Sequence, residues 1–285
     1  MGTISWQRIQ EYQRDTFRYK PGQRLRNVEE AVSFVSERGF IFFWPIHKVC
    51  LPSLWGAVAG NRPVPNAHDD AGHITWEWKD SLLNQRRWYY AKVLRKKATI
   101  ISLEYAPHFY ALSENYGSPE EDYLTLYEQG RLSQESRQVY ETILREGPLD
   151  TVALRKAARL TGRESDSRFT KAITDLQADF KIMPIGVARA GAWNYAFIYE
   201  ITARYYPELI VFAQHIGENQ ARQALASLYF RSLGAASQKD LERLFNWRPQ
   251  HTLDSLNSLV QAGMLVGGIK FENQPGEYFA LPELL

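Results

Sequence analysis

The sequence contains a single cysteine, Cys50, among 285 residues, and it has no long apolar run. One thiol cannot form an intramolecular disulfide, which excludes the disulfide frameworks of small secreted proteins. The first residues are polar and charged and lack the apolar segment of a signal peptide. We therefore expect neither secretion nor membrane insertion, and the predicted location is cytoplasmic.

Charge of one sign is also scarce, since the formal net charge is only +2. A nucleic-acid surface must therefore come from local clusters of Lys and Arg. The chain has no Gly-rich phosphate loop, and we expect no bound cofactor. It also lacks the Ser-His-Asp arrangement of a hydrolase. Hydrophobic residues make up 45% of the chain, which is enough for a substantial core.

Two segments of the chain repeat one pattern. Gly147–Leu154 and Gly234–Leu241 each open a short helix, followed by a longer helix, an apolar strand and a glycine-marked turn. This is the order of a winged helix, a DNA-binding module whose third helix lies in the major groove. The sequence thus predicts an α+β protein with tandem winged-helix (helix-turn-helix) modules and an additional mixed helical and β N-terminal region. We expect three domains. Residues 1–130 form the N-terminal helical and β region, for which a degenerate winged helix plus a small β-domain is one candidate arrangement. Residues 131–205 and 206–285 are each expected to form a winged helix.

Basic residues cluster on three elements of the first copy. Its third helix has an apolar stripe, with Arg168 and Lys171 on the opposite side. The third helix of the second copy presents Asp254, Asn257 and Gln261 and no cation, so we expect that copy to be mainly structural. Winged helices also bind proteins, which leaves that alternative open. The predicted DNA-binding residues of the first copy are Arg155, Lys156, Arg159, Arg163, Arg168, Lys171 and, at the turn of the wing, Arg189.

A second group of cations is interleaved with aromatic residues between positions 86 and 97. Basic side chains neutralise phosphates while nearby rings stack on bases, so the block is typical of a nucleic-acid surface. A half-buried pair of strands with a solvated charged face explains the same pattern equally well. The candidate binding residues are Arg86, Arg87, Lys92, Arg95 and Lys96.

Three stretches of the chain share their residue pattern with one known family. They are Glu37-Arg-Gly-Phe-Ile-Phe-Phe-Trp-Pro-Ile46, Arg86-Arg-Trp-Tyr-Tyr-Ala-Lys92, and Leu225–Gly268, which includes Leu233-Gly-Ala-Ala-Ser-Gln-Lys-Asp-Leu241 and Leu259-Val-Gln-Ala-Gly-Met-Leu-Val266. In these stretches the chain resembles the AlkZ/YcaQ-type bacterial DNA glycosylases, which unhook or excise alkylated bases and are built from tandem winged helices. The resemblance implies double-stranded DNA as the partner.

The same resemblance implies a Gln-x-Asp or Gln-x-Gln pair after the first capped helix, whose side chains position the attacking water. This chain has Gly39-Phe-Ile-Phe-Phe-Trp44 at that place, which puts Phe42 and Trp44 in the catalytic positions. Neither ring accepts a proton or orients a water, so the usual catalytic residues are absent. Both rings are candidates for stacking on a flipped base, although a run of large apolar residues is also typical of a core.

The candidate catalytic carboxylates are Asp69, Asp70 and Glu77, any of which could position water in an active glycosylase. With His68 and His73 they form the cluster of potential metal ligands, but no standard zinc spacing is met, and we expect no metal. Aspartates in such loops more often bond to the local backbone.

Three hypotheses follow from these observations. The first is a DNA-binding protein related to alkylation-repair and crosslink-repair glycosylases, which recognises damaged or distorted duplexes without the usual catalytic residues. The second is an active DNA N-glycosylase that uses a different carboxylate. The third is a winged-helix transcriptional regulator. The sequence leaves the oligomeric state open.

Overall fold

The computed structural model describes residues 5–67, 69–272 and 274–285. Along these residues one order of elements occurs three times: helix, strand, helix, helix, strand, strand. In each copy the first strand pairs with the third, and the third also pairs with the second. All these pairings are antiparallel, and the last two strands of each copy form its wing.

We call the three copies the first, second and third units; the two copies predicted from the sequence are the second and third units. Helix α1 (Trp6–Thr16) precedes the first unit, which contains α2 (Val28–Arg38), β1 (Phe40–Phe42), α3 (Leu54–Ala59), α4 (Asp70–Leu82), β2 (Tyr89–Ala91) and β3 (Thr99–Ile101). Helices α5 (Ala106–Ala111) and α6 (Asp122–Glu128) lead to the second unit, which contains α7 (Gln134–Glu146), β4 (Leu149–Asp150), α8 (Thr151–Ala157), α9 (Asp166–Ala178), β5 (Ile182–Ala188) and β6 (Ala196–Ile201). Helices α10 (Thr202–Tyr205) and α11 (Pro207–Ala213) lead to the third unit, which contains α12 (Glu218–Leu233), β7 (Ala235–Ala236), α13 (Gln238–Phe245), α14 (Pro249–Gln261), β8 (Val266–Phe271) and β9 (Gln274–Ala280). Short 3-10 turns lie at Pro21–Gln23, Leu94–Lys96, Arg163–Ser165 and Pro282–Leu284.

The structure confirms an α+β fold with tandem winged-helix units. It also adds a copy, because residues 28–101 contain the full order of elements and the same strand pairing as the two predicted copies. The predicted domain boundaries after residues 130 and 205 stay predictions. No helix in the three described segments is long and apolar enough to cross a membrane.

Local signals fix several helix ends where the sequence indicates them. The side chain of Asn27 accepts the N–H of Glu30 at 2.9 Å at the start of α2. Asp150 accepts two N–H groups in the first turn of α8, and Ser237 begins α13 with a capping box. Gly234 ends α12 with a φ of +78°, a conformation that side-chain-bearing residues rarely adopt.

Strand β1 is buried on both faces, as its unbroken apolar run predicts. Phe40 and Phe42 belong to a core that also contains residues of the third unit, among them Tyr229. Ile41 and Phe43 face the opposite side, in the core of the first unit. The first and third units therefore share one continuous apolar core through this strand.

Helix α1 joins the two ends of the chain. The hydroxyl of Tyr12 donates to the backbone carbonyl of Arg231 at 2.9 Å, and the hydroxyl of Thr16 donates to the backbone carbonyl of Ser232 at 2.6 Å. The last carbonyls of a helix have no partner within the helix itself. Side chains of α1 thus satisfy the C-terminal end of α12 and fix the N-terminal segment against the third unit.

Candidate nucleic-acid interface

Four of the predicted DNA-binding cations are exposed on the second unit. Lys156 lies in the last turn of α8, Arg159 follows that helix, Arg163 begins the 3-10 turn before α9, and Arg189 lies at the end of β5. All four side chains are exposed, and none of them has an ion pair within the described residues. We call this set the second-unit cationic surface. It can neutralise phosphates without first displacing an acidic partner.

The other predicted DNA-binding cations of this unit have acidic partners. Arg155 donates to the carbonyl of Leu160 at 2.7 Å and pairs with Asp166, which closes the turn between α8 and α9. Arg168 lies 3.0 Å from Glu135, and its side chain is 56% exposed. Exposed ion pairs contribute only about 0 to 1 kcal/mol, so a phosphate can compete for Arg168 more readily than for Arg155.

Asp175 holds two of the predicted cations at once. Lys171 pairs with it from one turn earlier on α9, and Lys96 pairs with it from the wing of the first unit. Desolvation opposes ionisation, but the hydrogen bonds from these two lysines hold the pKa of Asp175 below its usual value. The wing of the first unit therefore packs beside the third helix of the second unit.

The aromatic and basic block divides between structural contacts and the wing. Arg86 donates to the carbonyl of Tyr205 and lies over its ring, while Arg87 is 2.6 Å from Glu29. Lys92 is half-buried, and this burial lowers its pKa. Arg95 lies in the turn between β2 and β3, exposed and without an ion pair among the described residues. Arg86, Arg87 and Lys92 therefore fit the alternative interpretation of this block as a partly buried pair of strands.

A large cleft of about 1140 Å³ lies where the three units meet. Its walls come from the first wing at 93–96, the segment 109–117, the turn at 178–180, and the segment 244–248 of the third unit. Trp247 stacks on Phe245 with ring centroids 4.3 Å apart. Arg248 is exposed at the start of α14. Apart from Arg95 and Lys96, the sequence does not predict these lining residues, because the cleft exists only once distant segments pack together.

One wall of the cleft carries a strained segment between two titratable groups. Phe180 has a φ of +56°, which is uncommon for a bulky residue. Desolvation raises the pKa of Asp179, which precedes it. Lys181, which follows it, donates to Asn115 Oδ1 at 2.8 Å, and burial lowers the pKa of this lysine to about 8. Strain and shifted pKa values in a cleft are common at functional sites.

The two predicted stacking residues pack against other parts of the first unit. Phe42 has no exposed area, and its backbone pairs with Thr99 of β3. Trp44 is half-buried and stacks on Trp55 with centroids 5.8 Å apart. The alternative assignment of this segment to the core describes both rings.

The three candidate carboxylates do not line the large cleft. Asp69 accepts the N–H of Gly72 at 2.7 Å as the N-cap of α4, and it pairs with Arg62 at 2.6 Å. Desolvation opposes the shift, but the hydrogen bond from Gly72 and the charge of Arg62 hold the pKa of Asp69 below its usual value. Asp70 and Glu77 are exposed, two turns apart on α4. His68 lies outside the described residues, and within those residues no three His, Cys, Asp or Glu side chains come together as metal ligands.

Comparison with known proteins identifies the family. The family model described as AlkZ related matches residues 25–246. The structure is similar to that of the Streptomyces sahachiroi DNA glycosylase AlkZ, with a TM-score of 0.62 and 11% sequence identity, over 99% of this chain and 71% of that chain. None of the curated proteins matches the sequence. Because the family model covers well over half of the sequence, the chain belongs to the AlkZ-related family.

Proposed function

We propose that the protein binds double-stranded DNA and recognises damaged or distorted duplexes. The observation that carries this proposal is the second-unit cationic surface, in which four exposed cations on three elements have no acidic partner among the described residues. Membership of the AlkZ-related family supports the same partner, because the structurally similar Streptomyces protein is a DNA glycosylase.

We further propose that the family's usual catalytic pair is replaced in this chain. Phe42 is buried in the core, and Trp44 stacks on another tryptophan, so neither side chain can position a water molecule. The protein would then bind altered DNA, and these two residues would not take part in excising a base.

A second candidate function is base excision with a different carboxylate, and Asp179 is the residue that favours it. Asp179 lines the large cleft, and its pKa is shifted upward, the direction that makes a carboxylate a better proton acceptor. In such a reaction water attacks C1′ of the sugar, the carboxylate accepts a proton from that water, and the C1′–N bond breaks. The bonding electrons leave with the base.

Binding to defined duplexes tests the proposal. A fully paired duplex and the same duplex with one N7-alkylguanine are titrated with the wild type and with the variant Lys156→Glu, Arg159→Glu, Arg163→Glu. We expect the wild type to prefer the alkylated duplex and the variant to lose most of its affinity for both. The matched control, Lys239→Glu with Lys270→Glu, reverses exposed cations of the third unit and should bind like the wild type.

Alkali treatment of the same samples reveals abasic sites and separates the two candidate functions. An intact strand supports binding without excision, whereas cleavage that disappears in Asp179→Asn supports excision. Equal loss of binding in the charge-reversed variant and its control would contradict the proposed surface. Tight binding to duplexes of one DNA sequence, with no preference for the lesion, would contradict damage recognition and would favour a transcriptional regulator.

A further inference from the structure

The tip of the second wing carries the most exposed large apolar side chain of the described residues. Trp193 is 91% exposed in the turn between β5 and β6. Gly191, with a φ of +76°, allows the tight turn that carries it. The position of a Cβ on Gly191 would lie 3.5 Å from Cγ2 of Val152, so the wing tip lies over the start of α8.

A partly buried polar cluster fixes this wing to the first unit near the tip of the wing. The ammonium of Lys79, on α4, donates to the hydroxyl of Tyr195 at 2.8 Å. That hydroxyl donates to Asp80 Oδ1 at 2.9 Å, and Lys79 lies 2.7 Å from the same oxygen. Each of the three groups therefore has two polar partners within the cluster. Tyr195 is only two residues from Trp193, so the cluster restrains the wing close to its tip.

Aromatic rings complete the environment of Lys79, whose side chain is 1% exposed. Its ammonium lies 4.3 Å from the ring centroid of Trp76 and 4.6 Å from that of Phe197, which is on β6. Cation–π attraction is strongest where water is excluded. Rings from α4 and from the wing strand therefore surround one charge, and removing it would take one polar partner from both Asp80 and Tyr195.

A restrained, exposed indole on the same unit as several cations suits one type of ligand. Arg189 lies at the same end of the wing, and Lys156, Arg159 and Arg163 lie on the same unit. A nucleobase presents a flat apolar face next to a phosphate, so a base stacks on the indole while phosphates reach the cations. A well-paired duplex keeps its bases stacked on one another, whereas an unpaired base is available for this contact.

We propose that Trp193 stacks on an unstacked nucleobase of DNA held by the second unit, and that the cluster of Lys79, Asp80 and Tyr195 positions the wing for this contact. This inference rests on the proposed function. It adds a base-binding site that lies at the wing tip, apart from the large cleft and from Phe42 and Trp44.

Affinity for duplexes with and without one unpaired base tests the site. Stacking on an aromatic ring corresponds to about 5- to 150-fold in affinity per base, so Trp193→Ala should reduce binding of the bulged duplex by a factor in this range. Binding of the fully paired duplex should change little. Trp193→Phe should retain most of the preference. Phe212→Ala, which removes a 60% exposed ring from α11, is the matched control and should leave the preference unchanged.

Fluorescence gives a second measurement that does not depend on affinity. Stacking should quench the indole of Trp193, so the quenching seen when the wild type binds the bulged duplex should be lost in Trp193→Phe. Tyr195→Phe keeps the ring but removes the hydroxyl that connects Lys79 and Asp80. This variant should bind the paired duplex normally and show reduced quenching with the bulged duplex.

The outcomes separate this inference from the proposed function. If the charge-reversed variant loses DNA binding while Trp193→Ala keeps the full preference for the bulge, the stacking site is wrong and the cationic surface stands. If the wild type binds neither duplex, both are wrong. Unchanged quenching in Trp193→Phe would also overturn the stacking site.

Discussion

Burial of Lys79 has a consequence for the pH dependence of stability. Burial lowers the pKa of Lys79 to about 8, whereas a solvated lysine in the unfolded chain titrates near about 10.4. Between about pH 8 and about pH 10 the unfolded state therefore binds more protons than the folded state. The contribution of Lys79 to the free energy of unfolding should therefore rise with pH across this window.

The size of the rise follows from the same shift. Each group that is protonated only in the unfolded state adds at most about 1.4 kcal/mol per pH unit. Over two units Lys79 should therefore add about 2 kcal/mol, and Lys181, whose pKa burial also lowers to about 8, should add a similar amount. Burial raises the pKa of several tyrosines, among them Tyr89. Their effect has the opposite sign and is already present at about pH 10, where half of the unfolded tyrosine is ionised, so the contribution of Lys79 is the difference between the wild type and a variant without this lysine.

Urea denaturation at about pH 8, 9 and 10 measures the rise. The change in stability from about pH 8 to about pH 10 should be about 2 kcal/mol more positive in the wild type than in Lys79→Met, because all other groups titrate alike in both proteins. Lys270→Met removes an exposed lysine and serves as the control, with the profile of the wild type expected. Parallel profiles for the wild type and Lys79→Met would refute the assignment of Lys79 as a desolvated cation.

Three further predictions concern stability. Gly234→Ala should destabilise the protein by more than the roughly 1 to 2 kcal/mol that a positive φ costs a residue with a side chain, because the new Cβ would also lie 2.6 Å from a methyl group of Leu284. Gly130 has a positive φ but open space around it, so Gly130→Ala should show only the cost of the positive φ when both variants are unfolded with urea. Asp69→Ala should lower the free energy of unfolding by about 1 kcal/mol through loss of the α4 cap, while Asp69→Asn keeps most of it and neither changes DNA binding; altered excision in Asp69→Asn would instead support a catalytic role. Phe42→Ala should cost about 3 to 5 kcal/mol, and a loss below about 1 kcal/mol in the denaturation curve would place this ring outside the core.

The sequence predicts those parts of the fold that depend on neighbouring residues. The caps at Asn27, Asp150 and Ser237 are local signals, and the structure has a helix beginning at each of them. The first unit was harder to predict, because β1 has only three residues and is buried on both faces, so it shows no alternation. Its wing contains the 3-10 turn Leu94–Lys96 and lacks a glycine-marked turn.

The candidate site depends on contacts that no local pattern reveals. Arg168 finds Glu135 across 33 positions of the chain, and Lys96 finds Asp175 across 79, so an exposed cation cannot be told from a paired one by sequence alone. Lys79 is the opposite case. It lies on a helix where a lysine predicts a solvated face, but rings contributed by β6 and by its own helix bury it. Tertiary packing, rather than local sequence, decides which charges are available to DNA.

The salt dependence of DNA binding tests the central claim most directly. Each phosphate neutralised by a cation adds about 0.9 to the slope of log affinity against log salt concentration. Replacing Lys156, Arg159 and Arg163 with alanine should therefore reduce the slope by about 2 to 3 relative to the wild type, on a duplex of the same length. An unchanged slope would show that DNA does not contact these side chains and would contradict the second-unit cationic surface.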